Sequence, residues 1–145
     1  MIRVVLDTSV LVSAVITPTG PNARVFDLIT AGKIRTYLTE EVLAEYYQVF
    51  AYERLQHLDR RRIARMRGLP EKVSVRVKSG GLLKISGHAE DSRIYECALA
   101  SKADYIVTEN AKHFKRPYKL TRIISARQLL KMLAAEDLPK ATPPY

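Results

Sequence analysis

The chain has 145 residues, long enough for one folded core; its 47% hydrophobic and 27% charged residues exclude a disordered or fibrous chain. No apolar run reaches the ~18 residues of a membrane span, and the single Cys97 excludes an internal disulfide. The net charge of +9 favours a polyanionic partner, nucleic acid above all. Met1-Ile2-Arg3 leads into a strand and not into a signal-peptide pattern, so a cytoplasmic location is expected.

Strand and helix signals alternate, which argues for an α/β fold with a parallel sheet. The first strand is Ile2–Leu6, apolar on both faces at Val4-Val5-Leu6, as a central parallel strand should be. Thr8 or Ser9 can cap a helix over Val10–Ile16, and Thr17-Pro-Thr-Gly-Pro-Asn22 breaks it. A helix over Ala23–Ala31 ends at Gly32, and Arg35–Leu38 is the second strand. Thr39 is an N-cap for a helix over Glu40–Phe50. Residues 52–79 read as one or two basic helices broken near Gly68-Leu-Pro70. Gly80-Gly81 then turns into a third strand, Leu82–Ile85. A helix over Glu90–Lys102 carries Cys97 on its buried side. It is followed by the strands Tyr105–Val107 and Arg122–Ile124 and by a last helix from a Ser125 cap to about Ala135. We expect one domain over residues 1–138 and a flexible tail over 139–145.

Four polar residues follow strands in this scheme: Asp7, Glu45, Asp91 and Asn110. In an open parallel sheet the carboxyl ends of the strands share one rim, where ligands bind. Three carboxylates and an amide oxygen there would make a hard-oxygen site suited to Mg2+ or Mn2+. Each residue has a plainer reading. Asp7 could be a helix N-cap, and Asp91 could complement a helix dipole. Glu45 could lie on a solvated helix face, with Glu41 as its rival, and Asn110 beside Thr108 could be ordinary loop chemistry. Asp104 precedes its strand, at the opposite rim, and reads as structural.

Charge is placed unevenly. Between Arg54 and Lys78 nine Lys and Arg stand against Asp59 and Glu71, and Lys112 to Arg122 holds five basic residues and no acid. Arg60, Arg61, Arg62, Arg65 and Lys112 are therefore candidate RNA contacts, with a solvated face as the alternative. The run has too few acids for i,i+4 pairing to explain it. His57, His88 and His113 have no metal-ligand spacing, and the chain has no P-loop, nucleophile elbow or zinc pattern.

Val-Val-Leu-Asp7-Thr-Ser9, Leu43-Ala-Glu45-Tyr, Asp91-Ser-Arg-Ile-Tyr-Glu-Cys-Ala98 and Ala103-Asp-Tyr-Ile-Val-Thr-Glu-Asn110, in that order, resemble the PIN-domain family and in particular its VapC-type toxin components. The resemblance runs from Ile2 to about Leu133. It implies a three-layer α/β/α fold with a five-stranded parallel sheet of order 3-2-1-4-5. It also implies Mg2+- or Mn2+-dependent endoribonuclease activity, with Asp7, Glu45 and Asp91 as metal ligands. Asn110 stands where the family often has Asp, and Ser9 and Thr108 match supporting polar positions. A toxin component would bind a small antitoxin, and a homodimer is common in the family.

Other classes remain. A catalytically degenerate RNA-binding or regulatory module is the main alternative, and Asn110 is its support. An aspartyl-nucleophile phosphohydrolase would suit Asp7 but lacks the second aspartate two residues on, where Ser9 stands. A metal-free, histidine-based RNase would be marked by insensitivity to EDTA.

Overall fold

The structure, a computed structural model, describes residues 1–80, 89–114 and 121–137; the side chains of 89–91, 113, 136 and 137 fall outside that set. Five strands form one parallel sheet: β1 (Ile2–Leu6), β2 (Ile34–Leu38), β3 (Val75–Arg76), β4 (Tyr105–Val107) and β5 (Arg122–Ile124). Their order is β3-β2-β1-β4-β5, as the resemblance implies. Val4 faces Thr36 on one side and Tyr105 on the other, so β1 is central. Val4, Val5 and Leu6 are fully buried there, which accounts for their unbroken apolar run.

The described residues form six α-helices: α1 (Thr8–Ile16), α2 (Pro21–Thr30), α3 (Glu40–Val49), α4 (Arg60–Val73), α5 (Ala89–Ser101) and α6 (Ala126–Asp137). Helix α2 packs on α1 and α6, and α3 packs on α5, which itself lies against β1, β2 and β4. The result is a three-layer α/β/α fold. Val10, Leu11, Phe26, Ile94, Ile106 and Leu129 fill its interior.

Local chemistry sets the helix ends. Thr39 Oγ1 accepts from the Val42 N–H, as an N-cap should. Ser125 and Gln128 form a reciprocal capping box at α6: each side-chain oxygen accepts from the other residue's N–H. Gly32 closes α2 with φ +76°, donating to Ile29 while Lys33 donates to Leu28. Lys102 closes α5 in the same way at φ +53°, with Ala103 donating to Ala98. Here a side chain occupies a left-handed position, a strain of about 1 kcal/mol. Arg3 then ties the end of α5 to the start of β1, its guanidinium donating to the Ser101 carbonyl at 2.6 and 3.1 Å. Asp104 accepts from the Arg3 N–H at 2.9 Å, which places it at the amino rim as a structural residue.

The basic segment departs from the expectation. Helix α4 runs unbroken through Gly68-Leu-Pro70; Pro70 is buried in the last turn, where its missing N–H costs a single backbone bond, and its carbonyl accepts from the Ser74 N–H. The third strand of the sheet is then Val75–Arg76, paired with Tyr37 and Leu38. The expected strand Leu82–Ile85 lies outside the described residues. Alternation in Val73-Ser-Val-Arg-Val77 was a period-two signal hidden by the surrounding charge. At α1, Arg62 reaches from α4 to donate to the Val15 carbonyl in the last turn. Gly68 sits within α4, where it costs about 1 kcal/mol relative to alanine. A Cβ added there would meet no heavy atom within 4 Å.

Candidate active site

Asp7 follows β1 and occupies the N-cap position of α1, yet its side chain makes no capping bond. Its carboxylate is turned to a different task. Ser9 Oγ and Thr108 Oγ1 both donate to Asp7 Oδ2, each at 2.7 Å. The hydroxyls are aimed in turn by backbone: the Glu109 N–H donates to Ser9 Oγ and the Asn110 N–H to Thr108 Oγ1, both at 3.0 Å. Each hydroxyl has one hydrogen and spends it on Asp7, so the 3.3 Å approach between Ser9 and Thr108 is a contact without a bond. Oδ2 is thereby saturated, while Oδ1 has no hydrogen-bond partner among the described residues.

Helix α3 brings the second carboxylate. Glu45 is buried, at 6% exposure, whereas its rival Glu41 is exposed. A buried carboxylate is costly unless paired. Arg93 of α5 donates Nη1 to Glu45 Oε1 at 2.8 Å. The next residue, Tyr46, donates its hydroxyl to the Leu6 carbonyl at 2.5 Å and so docks α3 on the end of β1. Burial pushes the Tyr46 hydroxyl well above its ordinary pKa; Cys97, Asp7 and Glu45 add to the shift. Both carboxylates thus act on one hydroxyl. Cys97 itself is buried core, its thiol pushed up to about 12 by burial.

Asp91 is the third residue of α5, and its side chain lies outside the described set. The end of α5 is tied to Arg3 at the start of β1, so its beginning lies towards the other rim, where Asp7 stands. Arg93, two residues along, already reaches Glu45. Asn110 is exposed in the turn after β4, and only its backbone takes part in the Asp7 network. Phe114 packs edge-on against Tyr95 of α5, ring centres 5.5 Å apart, and holds this turn down.

No three His, Cys, Asp or Glu groups close enough to hold a metal ion occur among the described side chains. The donor chemistry at the β1 end nevertheless fits a hard divalent cation: an oriented Asp7 with one oxygen unengaged, and a buried Glu45. Asp7, Glu45 and Asp91 are the residues that could hold it.

The basic residues divide by what they touch. Arg76 pairs with Glu40 and Glu71, and Arg93 with Glu45. Arg62 is half-buried against Val15. Arg60, Arg61, Arg65 and Lys112 are exposed, and among the described residues none of their side chains pairs with a carboxylate; the Asp59 carboxylate takes only the Arg61 backbone N–H. Arg93 is the site residue that sequence reasoning missed. It stands inside the Asp91 motif, but no spacing rule links it to Glu45, 48 residues away.

A doubly covered parallel sheet with an oriented carboxylate at the carboxyl end of its central strand defines a class of α/β site proteins. The PIN domain family model matches residues 3–112, and the chain belongs to the PIN-domain family. PIN domains are generally nucleases that act on nucleic acids with divalent metal ions. No curated protein matches the chain. No helix of the described residues is long and apolar enough to cross a membrane.

Proposed function

We propose that the protein is a Mg2+- or Mn2+-dependent endoribonuclease, the toxin component of a toxin–antitoxin pair that a small antitoxin protein would inhibit. The observation that carries the nuclease reading is the Asp7 carboxylate, fixed through Oδ2 by Ser9 and Thr108 at the end of the central strand. Buried Glu45, which with Asp7 acts on the Tyr46 hydroxyl, and the family membership support the same reading.

A divalent cation held by Asp7, Glu45 and Asp91 would supply charge neutralisation at the scissile phosphate and would lower the pKa of the attacking water. The chain's own residues do the rest. Ser9 and Thr108 hold Asp7 in one orientation, so no reorganisation is needed when charge develops. Arg93 holds Glu45 and keeps its negative charge tolerable in a buried position. Asn110 offers an amide to a water or a phosphate oxygen. In hydrolysis a water oxygen bonds to phosphorus, the P–O3′ bond breaks, and a proton passes to the leaving oxygen. The products are 5′-phosphate and 3′-hydroxyl ends. Arg60, Arg61, Arg65 and Lys112 hold the backbone on either side.

The test is cleavage of a labelled, mixed-sequence single-stranded RNA with Mg2+, with Mn2+ and with EDTA. Asp7→Asn and Asp91→Asn should each lower the rate by about a hundredfold or more, with circular dichroism unchanged. Full activity in both variants would overturn the assignment. Asn110, one charge short of the family's common Asp, favours a second reading as a degenerate RNA-binding module. RNA binding without metal-dependent turnover would select it.

A further inference from the structure

Between α3 and α4 lies a cavity of about 740 Å3, lined by Tyr47, Gln56, Arg60, Ile63, Arg67 and Gly68 among others. We infer that this cleft is a binding subsite for one nucleotide of a single-stranded RNA, separate from the Asp7 carboxylate. The inference rests on the RNA reading above and adds to it a place on the protein where the substrate is held.

Four observations converge. The charged residues lining the cleft are Arg60 and Arg67, both basic. Neither has a carboxylate partner among the described residues, in contrast to Arg76, so both remain available to phosphate. Arg67 lies over the Tyr47 ring, 5.5 Å from its centre, and the two form a polar-aromatic wall of the cleft. The Tyr47 hydroxyl is anchored on Glu71 at 2.6 Å, which fixes the ring. Such walls stack bases without regard to sequence.

The third observation is the Gln56 amide. Its nitrogen donates to the Phe50 and Tyr52 carbonyls, both at 3.2 Å, and two acceptors settle which end of the amide is which. Oε1 remains as a fixed acceptor on a residue that lines the cleft, and every base carries an edge N–H to meet it. Gly68 is the fourth. Glycine is a poor helix former, and no packing within the described chain requires it here, since a Cβ would meet nothing. Its effect is to leave the floor of the cleft open beside half-buried Ile63. Helix α3 carries both Glu45 and Tyr47, so one helix connects the cleft to the carboxylates. The basic lining favours RNA over a protein segment as occupant.

The test is fluorescence anisotropy of a short labelled single-stranded RNA in EDTA, where no cleavage can occur, with the full chain. Gly68→Leu would fill the cleft. It is expected to weaken binding about tenfold, the loss of one stacked base, while its thermal midpoint equals or exceeds the parent's. Arg67→Ala should weaken binding similarly. Arg61→Ala, one step round the helix from Arg60, should cost only a salt-dependent phosphate contact. Should Gly68→Leu fail to fold, Gly68→Gln, which is as long but polar, serves instead, with the same loss of affinity expected. A folded Gly68 variant that binds RNA as the parent does overturns the subsite and leaves the cleft to a protein partner. A parent that binds no RNA overturns the RNA reading itself, a distinguishable result.

Discussion

Asp7 carries two hydroxyl bonds on one oxygen, and the separation of duties between its oxygens makes the site testable atom by atom. Thr108→Val removes one donor but keeps shape. Outer-shell partners of this kind are worth about 10–100-fold in metal affinity. Calorimetric titration of Mn2+ should therefore show binding weakened by about tenfold or more, with little change in thermal stability in EDTA. An unchanged isotherm would mean that the Thr108 hydroxyl does not orient Asp7. Arg93 gives the complementary experiment. Arg93→Gln takes the guanidinium from a buried carboxylate and should destabilise the metal-free protein by about 1–3 kcal/mol. Added Mn2+ should restore part of that loss if the cation takes over the neutralisation of Glu45. Thermal melts with and without metal read both effects.

Among the elements, Lys102 ends α5 in a left-handed conformation that glycine adopts without strain. Lys102→Gly should raise stability by about 0.5–1 kcal/mol in urea unfolding, although glycine also loosens the unfolded chain. No gain would mean that the two effects cancel. The same element shows what sequence could and could not tell. Ala103-Asp104 before β4, Gly32 after α2, and the Thr39 and Ser125 caps were legible because backbone chemistry at a helix end depends on neighbours in sequence. The alternation in Val73–Val77 was legible too but was overridden by the charge around it, and the unbroken α4 was not legible. A proline in a last turn forfeits one backbone bond, and whether the packing around it outweighs that loss is a tertiary fact. Asp7, Glu45 and Thr108 were readable as candidates because strand ends in a parallel sheet converge, and Ser9 because it matches a supporting position of the resembled family. Arg93 was not, because an ion pair across 48 residues leaves no local trace.

For the molecule as a whole, the net charge of +9 sets the expectation for binding. Unpaired arginines on α4 should make RNA affinity fall steeply with salt. Arg65→Ala should lower the slope of log affinity against log salt by about 0.7 for one lost phosphate contact on a single strand. It should do so equally for RNAs of different sequence. A slope unchanged by the variant would place Arg65 outside the bound strand's path.

The long reach of the Asp7 network bears on how the protein comes into being. Asp7 is made before its partner Thr108, which follows 101 residues later. Because β4 enters the sheet beside β1, in its middle, the nascent chain carries an unfinished site until β4 has left the ribosome. At about 5–20 residues per second, that interval is on the order of 5–20 s. Chains released early, before Thr108, would lack the hydroxyl that steadies the first carboxylate, so incomplete translation yields products without the assembled site.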